Sequence, residues 1–491
     1  MSETFRIPGD QVKWCSWGDD LNGRVFRYQG EYYRGIREKS VPFFRALLER
    51  GILDDLSRKN LIVKTERTDL TLEGYPLVLR HEKIPFVSYP REWCFSMLQD
   101  AARLVIRLNR ELIQHRLIAG DCHAFNVLFR GPTPVHVDVG AIVEWSPEAP
   151  YPAYQEFLSY YLYPLLLQRR KGLTRIIKAL QGDELTCISR EEYRGLRRIA
   201  LPAVSFSVRG RRVDADLFNE IFRRLYDRFG KGFLRPFFEI LSRISPLQAS
   251  ANVAIALNRL EKKINSIKIS LETAEWTNYY EGDPAGCAML ENPSDGAAGA
   301  TAKTDLRGRQ ILRIVEDVRP RTLIDLAGNQ GLFSLAASRL GVPQVICADN
   351  DLAAIEKLYR SIRNRPVGIL PVHLNIMMPG GGSRSADASE RSVYARMQCE
   401  MALALAITHH LSLTQKIPFE TIASTLAGYT SRHLLVEFMP WGLGIGKPSP
   451  GLPAWYTLED FAAAFRPHFQ KIEIFRTNAE CNERILVVCE K

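Results

Sequence analysis

This sequence of 491 residues has no apolar run long enough to span a membrane. The longest one near the middle, FLSYYLYPLLL at 157–167, is far shorter than the roughly 20 residues that a membrane-spanning helix needs. It therefore predicts a buried helix, and no membrane span is expected. The N-terminus, MSETFRIPGDQVKW, also lacks the basic and apolar blocks of a secretion signal.

Cysteine is sparse, and its spacing is unsuited to metal binding. The nine cysteines are scattered along the chain, and none forms a CxxC pair. This pattern predicts no structural zinc and no other metal site, because zinc sites in proteins usually use closely spaced cysteine or histidine ligands. Scattered cysteines in odd number also favour a reducing compartment, so we expect a cytoplasmic protein.

Positive charge is concentrated in one stretch of the chain. The formal net charge is +10, and residues 169–263 contain 21 Lys or Arg against 10 Asp or Glu, a surplus of 11. The rest of the chain is therefore about neutral. A basic middle region fits an anionic acceptor, a nucleic acid or a membrane surface. The alternative is that these basic residues form solvated helix faces. The lack of aromatic residues between them favours this alternative, although a nucleic-acid partner stays open.

Composition and turn-forming residues predict the domain organisation. Apolar residues make up 46% and charged residues 24%, as in ordinary globular proteins, and the length fits two or three domains. Residues 281–305 are small and turn-rich, which is typical of a linker, and 379–392 have the composition of a surface loop. We therefore predict a first domain over 1–280 and a second over 306–491.

The first domain has the element order of a bilobal, kinase-like unit. Up to about residue 90 the pattern predicts a small sheet, with a hairpin over 23–36, a helix over 41–56 and strands at NLIVKT and PLVLRHEKIPF. After residue 91, apolar residues recur at helical spacing. The predicted class of this region is α+β.

The second domain alternates strands and helices. TLIDL, QVICAD, GILPVHL, MALALAI and HLLVEF read as strands separated by helical or loop segments, which favours a parallel sheet with crossover helices. KIEIFRT and RILVVCE lie close enough in sequence to pair as an antiparallel edge hairpin. A doubly wound, Rossmann-like α/β sheet with such a hairpin is the layout of class I methyltransferases.

Strand ends in this domain carry candidate cofactor residues. In a doubly wound sheet the ligand lies at the carboxyl ends of the strands. Asp325 closes the first strand, and Gly331 opens the following helix after a tight turn. Asp349 ends the second strand, where a carboxylate can accept both ribose hydroxyls. Asn375 follows the third strand and could accept from an adenine amino group. The alternative is that these are ordinary turn and capping residues.

Several segments together resemble one known family. They include IPFVSYPREWCFSMLQDAARL, GDCHAFNVLFRG, EWTNYY, IDLAGNQGLFSLAA and LALAITHHLSLTQKIPFETIA, in this order over nearly the whole chain. The chain resembles a bacterial family of S-adenosylmethionine-dependent methyltransferases that includes rhizobial host-specific nodulation proteins. The resemblance implies methyl transfer from S-adenosylmethionine to an undefined acceptor, with nodulation or modification of a glycan as its context.

The resemblance also assigns cofactor-binding residues by position. The family's usual DLGCNxG is DLAGNQG here, so Asp325, Asn329 and Gly331 match, while Ala327 replaces the first glycine and Gly328 stands beside it. If the turn needs a positive φ at 327, alanine costs about 1 kcal/mol or more. The predicted cofactor set is completed by residues at the ends of the next two strands: Asp349, Asn350 and Asn375.

Candidate catalytic residues follow the fourth and fifth strands. His409 and His410 come after the fourth strand and Glu437 ends the fifth, so all three are expected to face one crevice. A neutral imidazole could take a proton from an acceptor hydroxyl or amine, with Glu437 orienting the imidazole or the substrate. The alternative is that the histidines line the cofactor pocket and Glu437 binds backbone amides.

A second motif, GDCHAFNVLF followed by HVDVG, resembles the catalytic loop of small-molecule kinases. In that interpretation Asp121 orients the acceptor, and Asn126 and Asp138 hold magnesium, with His123 also in the loop. The expected strand lysine is replaced by Arg34, and the stretch GDDLNGR is too poor in glycine to hold a triphosphate.

The kinase-like loop is therefore interpreted as vestigial. Glu49 lies on the helix expected to pair with position 34, and Lys64 comes after that helix instead of before it. Two alternatives to a methyltransferase stay open: a phosphotransferase that uses this loop, and a catalytically silent binding protein.

Overall fold

The computed structural model describes most of the two predicted domains. The described residues are 5–19, 22–147, 149, 151–168, 188–199, 206–208, 211–213, 253–269, 306–378, 392–444, 447–477 and 484–491. The predicted linker over 281–305, most of the predicted loop over 379–392 and most of the basic stretch over 169–263 lie outside them. No helix in the described part of the chain is long and apolar enough to span a membrane.

The chain begins with a small antiparallel sheet. Its five strands lie in the order β2, β3, β4, β7, β5, and β1 pairs separately with β6. Their bounds are β1 Phe5–Arg6, β2 Lys13–Asp19, β3 Gly23–Tyr28, β4 Glu31–Ile36, β5 Thr65–Arg67, β6 Leu70–Thr71 and β7 Leu77–His81. The hairpin predicted over 23–36 is present as β3 and β4.

Two predictions for this region need correction. The helix predicted over 41–56 is divided into α1 (Val41–Glu49) and α2 (Ile52–Arg58), because Gly51 takes a left-handed φ of 66° that ends the first helix. The strand predicted at NLIVKT begins only at Thr65. Ile62 instead bridges to His136 of the following helical region, which the sequence pattern alone does not show.

Helices dominate the next region. The helix α3 (Phe95–Ile113) buries 13 side chains, consistent with its apolar residues at helical spacing. A helix runs through α4 (Tyr154–Phe157), a π-helical turn at Leu158–Leu162 and α5 (Tyr163–Gln168), as the FLSYYLYPLLL run predicts. The remaining elements are β8 Leu117–Ala119, β9 Val127–Arg130, β10 Thr133–His136, β11 Ile142–Glu144, α6 Arg190–Ile199, β12 Phe206–Val208, β13 Arg211–Val213 and α7 Val253–Ser266.

A seven-stranded sheet forms the C-terminal part. Its order is β16, β15, β14, β17, β18, β20, β19; the first five strands are parallel, and the last two form an antiparallel edge hairpin. The strands are β14 Thr322–Leu326, β15 Gln344–Asp349, β16 Ile369–His373, β17 Cys399–Ala404, β18 Thr430–Phe438, β19 Lys471–Thr477 and β20 Arg484–Glu490. The predicted mixed α/β sheet with its edge hairpin is confirmed.

Helices flank this sheet. They are α8 Leu306–Val318, α9 Leu332–Arg339, α10 Leu352–Ile362, α11 Val393–Met397, α12 Phe419–Gly428 and α13 Leu458–Phe465. Along the sheet, the strand order reverses between β14 and β17, the first and fourth strands of this part. In open α/β sheets, the crevice at such a reversal is the usual place for a ligand.

Buried polar contacts join the N-terminal and C-terminal parts. Glu356 of α10 accepts a hydrogen bond from the Ser96 N–H at 2.9 Å and a second from the Ser96 hydroxyl. Arg396 of α11 donates two hydrogen bonds to Glu92, at 2.6 and 2.9 Å, and a third to the Val87 carbonyl. In addition, buried apolar residues of both parts form one continuous core.

Candidate functional site

The turn after β14 has an unusual backbone. Ala327 and Asn329 have φ of 59° and 51°, and Gly331 has φ of 81°. The positive φ that would disfavour alanine is thus present at 327, and an L residue there costs about 1–2 kcal/mol. Gly328 is needed for space, because a β-carbon at this position would lie 2.8 Å from the Asp325 carboxyl and from Cys347 Sγ.

Asp349 holds this turn against the end of β15. One oxygen of its carboxylate accepts the Asn329 N–H at 2.8 Å, and the other accepts the Asp351 N–H at 2.7 Å. Asp349 is partly exposed at the carboxyl end of β15. Burial raises the pKa of Asp349, an effect that the backbone N–H donors oppose. A carboxylate has about four lone-pair positions, so Asp349 can still accept a ligand hydroxyl.

Asp325 lies beneath the turn. It is 2% exposed, and it accepts a hydrogen bond from the Ser334 hydroxyl at 2.8 Å. Burial raises the pKa of Asp325 to about 6, and the nearby Asp349 carboxylate contributes to this rise. Both carboxylates therefore lie next to the same turn, Asp325 beside Gly328 and Asp349 at the Asn329 N–H. Asp325 is placed to shape the turn, whereas Asp349 is the more accessible of the two.

The remaining predicted cofactor residues lie at the same sheet edge. Asp349 is paired with His373 at the end of β16, so Asn375 follows at the carboxyl end of the neighbouring strand. Asn350 and Asn375 are both exposed. The side-chain oxygen of Asn375 accepts the Met377 N–H at 3.1 Å, which fixes the orientation of its amide.

Glu437 is fully buried in a cluster of arginines. Its carboxylate accepts from Arg307 Nε at 2.6 Å and Nη2 at 2.8 Å, from Arg484 Nη1 at 3.2 Å, and from the Ala406 N–H at 2.8 Å. Burial alone would raise the pKa of Glu437, but the two guanidinium groups hold it below the usual value. The carboxylate is therefore ionised and acts as the anchor of an ion-pair cluster.

His409 lies beside this cluster as a neutral imidazole. It is 5% exposed, and burial lowers its pKa to about 3. Its ring centroid is 4.1 Å from that of His410, and its Nδ1 has no hydrogen-bond partner among the described residues. None of the described hydrogen bonds of Glu437 goes to His409, so the predicted orienting contact between them is absent in this part of the chain.

Sequence reasoning missed Arg307 and Arg484. They lie 130 and 47 residues from Glu437 along the chain. Each approaches it only through the tertiary structure, because β20 pairs with β18 and α8 packs against α9 and β19. Arg307 also lies over the Phe333 ring at 5.5 Å, which connects the cluster to α9 and thereby to the turn after β14. The sequence offers no local pattern that pairs these residues.

The kinase-like loop also forms a compact cluster. His123 Nε2 lies 3.3 Å from the Asp121 carboxylate, which also accepts the His123 N–H at 3.1 Å. Glu156 accepts the Cys122 N–H at 2.6 Å, and burial, with the neighbouring Asp121 carboxylate, raises the pKa of Glu156 to about 7. Asn126 is buried, and its amide nitrogen makes no hydrogen bond within the described residues.

A guanidinium lies beside Asp138, the residue predicted to hold magnesium. Arg34 is 1% exposed, and its Nη2 donates to Asp138 Oδ1 at 2.5 Å. Asp138 also accepts the Gly140 N–H at 3.0 Å. Glu49 is exposed, and no described ion pair joins it to Arg34. Lys64 pairs with Glu66 on the outer surface.

Sequence comparison identifies a relative of nearly the whole chain. The nodulation protein NoeA of Rhizobium meliloti (strain 1021) is 23% identical over 439 residues, which cover 86% of this chain and 83% of the relative. The chain is thus similar to NoeA over most of the length of both proteins. This agrees with the resemblance seen in the sequence motifs. No protein-family model matches the sequence.

Comparison with solved structures finds partial likenesses. TehB from Haemophilus influenzae is 14% identical with a TM-score of 0.28, and the match covers 37% of this chain and 61% of TehB, less than two thirds of it. The bifunctional kinase-methyltransferase WbdD is 14% identical with a TM-score of 0.28, covering 43% and 42%. The 16S rRNA methylase RmtB is 13% identical with a TM-score of 0.27, covering 49% and 84%.

Proposed function

We propose that the C-terminal part is an S-adenosylmethionine-dependent methyltransferase acting on an undefined acceptor. The observation that carries the proposal is the Asp349 carboxylate, half-buried beside a left-handed small-residue turn at the reversal point of the sheet. Homology to NoeA and the sequence motifs shared with methyltransferases support it. We also propose that the chain is divided into a first domain over 1–280 and a methyltransferase domain over 306–491.

The residues at the strand ends fit an adenosine-containing cofactor. Asp349 can accept ribose hydroxyls with its remaining lone pairs, and the turn from Ala327 to Gly331 brings backbone close to a ligand without bulky side chains. Asn350 and Asn375 are exposed at the same edge and can supply amide groups to a base. When bound, S-adenosylmethionine supplies an electrophilic methyl group.

The acceptor is proposed to approach from the side of β17 and β18. His409 is neutral, and its buried Nδ1 can accept a hydrogen bond from an acceptor hydroxyl or amine. With a pKa of about 3 it is a weak base, so positioning of the acceptor is its main expected contribution. His410 lies next to it and is more exposed. Glu437 would act through Arg307 and Arg484 by fixing their positions.

Binding of labelled S-adenosylmethionine to Asp349→Ala tests the cofactor site. We expect affinity to fall at least about tenfold, because two hydrogen bonds from ribose to a charged acceptor are lost. Asp317→Ala removes an exposed carboxylate from α8 and serves as the matched control, with affinity unchanged. Equilibrium dialysis on both folded variants measures the effect. An Asp349→Ala protein that keeps wild-type affinity would show that the cofactor site lies elsewhere.

The alternative, phosphotransfer by the N-terminal loop, is favoured by the contact between Asp121 and His123. It is opposed by the Arg34 guanidinium, which bonds the carboxylate that would have to hold magnesium. We therefore propose a binding platform for the N-terminal part. Titration with ATP and magnesium separates the two: saturable ATP binding without binding of S-adenosylmethionine would support phosphotransfer and contradict methyl transfer.

A link to nodulation rests on the name of the NoeA relative alone. We include it in the proposal as a biological setting. Mass spectrometry of cell extracts incubated with isotopically labelled S-adenosylmethionine, with the wild-type protein or Asp349→Ala, would reveal the methylated acceptor. A labelled product that forms equally with both proteins would not come from this site.

A further inference from the structure

A cavity of about 410 Å³ lies between the N-terminal and C-terminal parts. It is formed where the first turns of α3, the residues that follow α7 and the end of α10 come together. Its wall has four cationic side chains and two side-chain amides, and the rest is Ser96 and the apolar residues Phe95, Ile267 and Ile269. The polar residues that matter here are Gln99, Arg103, Asn265, Lys268, Arg360 and Arg363.

Positive charge in this cavity exceeds the negative charge next to it. The wall has four cationic side chains, and two carboxylates, Asp100 and Glu356, lie against it. Both carboxylates already accept hydrogen bonds from neutral groups as well. Asp100 accepts from the Tyr359 hydroxyl at 2.9 Å, and Glu356 accepts from the Ser96 N–H at 2.9 Å. A surplus of two positive charges is therefore left in a concave site, where the field is concentrated.

Arg103 and Arg360 form ion pairs with Asp100 and Glu356, at 2.5 and 2.6 Å, yet all three arginine side chains remain partly exposed. The side chains of Arg360, Arg363 and Arg103 are 45%, 34% and 30% exposed. Arg363 Nη1 lies 3.7 Å from Asp100, which is an ion-pair distance but too long for a hydrogen bond. Guanidinium groups present several N–H donors in a planar fork that matches phosphate oxygens.

The wall is also held in place by buried hydrogen bonds. Gln99 is 6% exposed, and its amide donates to the carbonyls of Ile264 and Ile267, at 2.8 and 3.1 Å. These bonds fix the segment that carries Lys268 against α3. Arg103 Nε donates to Asn265 Oδ1 at 2.8 Å, which orients this guanidinium along the same wall. The cations are thus arranged before any ligand arrives.

We infer that this cavity binds a phosphate-bearing anion, such as a diphosphate or the phosphates of a nucleotide. Its volume is within the usual range for small-molecule sites. Cationic side chains from α3, from the residues after α7 and from α10 would contact the ligand together. Bound anion would therefore also strengthen the contact between the N-terminal and C-terminal parts. The site is separate from the proposed methyl-transfer crevice and does not depend on it.

Calorimetric titration of the full-length protein with inorganic pyrophosphate and with ADP tests this inference. We expect saturable binding of pyrophosphate, weakened at least about tenfold in Arg363→Gln/Lys268→Gln because two charge-assisted contacts are lost. Tighter binding of ADP than of pyrophosphate would identify the source as a nucleotide, whereas pyrophosphate binding that equals or exceeds ADP binding would identify smaller phosphate compounds.

Arg313→Gln is the matched control, because Arg313 is an exposed arginine of α8 away from the cavity. It should leave the affinity within about twofold of wild type. Asp349→Ala should likewise not affect it, which separates this site from the cofactor site. Thermal unfolding checks that the double variant is folded. If the double variant is unfolded, the single variant Lys268→Gln, at an exposed position, is used in its place. Absence of binding by the wild type, or equal binding by the folded variant, would overturn the inference.

Discussion

At Ala327 the backbone conformation and the residue type are poorly matched. The turn after β14 needs a left-handed backbone at this position, where φ is 59°, yet the residue has a β-carbon. Glycine would adopt this conformation without strain. The neighbouring Gly328 cannot be replaced by a larger residue without a steric clash, because a β-carbon would lie 2.8 Å from the Asp325 carboxyl and from Cys347 Sγ. The two positions differ because one is limited by dihedral angle and the other by space.

Ala327→Gly is therefore expected to stabilise the protein. The free energy of unfolding should rise by about 0.5–1 kcal/mol, since relief of the left-handed strain exceeds the added flexibility of the unfolded chain. Urea denaturation measures the change. Ala463→Gly, at an exposed position inside α13, is the control and should instead lower the free energy of unfolding by about 0.5–1 kcal/mol. A decrease for Ala327→Gly would contradict strain at this turn.

Glu437 and its arginines act at the scale of secondary-structure elements. The carboxylate ends β18, Arg307 begins α8, and Arg484 begins β20. Their hydrogen bonds join three elements that are far apart in sequence. Removal of the carboxylate would leave two guanidinium groups in a mostly buried place without their counter-ion.

Glu437→Gln should accordingly lower the free energy of unfolding by about 3 kcal/mol. Chemical denaturation measures this loss. Glu400→Gln is the control: Glu400 pairs with Arg321, whose side chain is 85% exposed, so the expected loss is below about 1 kcal/mol. A similar small loss for both variants would mean that the buried cluster contributes little. If Glu437 acts only by positioning, cofactor affinity of the folded variant should change less than methyl transfer.

At the scale of the whole molecule, the N-terminal and C-terminal parts are joined by buried polar contacts. Arg396 and Glu92 have side chains only 3% and 4% exposed, and the Arg396 guanidinium also lies over the Tyr89 ring at 4.3 Å. Such a contact fixes the two parts in one arrangement, because each unpaired group would be costly to bury.

Arg396→Met tests this arrangement. We expect the free energy of unfolding to fall by about 3 kcal/mol, because Glu92 would lose its bidentate counter-ion and keep only the Arg91 guanidinium at 3.8 Å and the Tyr89 N–H. Lys471→Met removes an exposed cation from β19 and should leave the free energy of unfolding close to that of the wild type, because solvent screens the exposed ion pair with Glu473. Unfolding followed by fluorescence and by far-ultraviolet circular dichroism gives the values. An Arg396→Met protein as stable as wild type would show that the parts are held together by apolar contacts instead.

The sequence predicted the C-terminal sheet well, because its signals are local. Apolar runs at TLIDL and QVICAD and the closely spaced hairpin strands determine strand type with little help from the rest of the chain. The division of the helix at Gly51 and the late start of the strand at Thr65 were missed. They depend on a single glycine conformation and on pairing of Ile62 with a distant segment. The kinase-like interpretation of the first region stays a prediction.

The candidate site was predictable only in part. Strand ends carry their own signal, so Asp325 and Asp349 could be placed at one sheet edge from the sequence. The sequence by itself thus determined which residues reach the carboxyl ends of the strands, since that depends on periodicity and turn residues. Only the tertiary structure decided that Glu437 binds Arg307 and Arg484, and that Arg34 lies beside Asp138. Buried ion pairs are selected by packing and desolvation, which act between residues far apart in the chain.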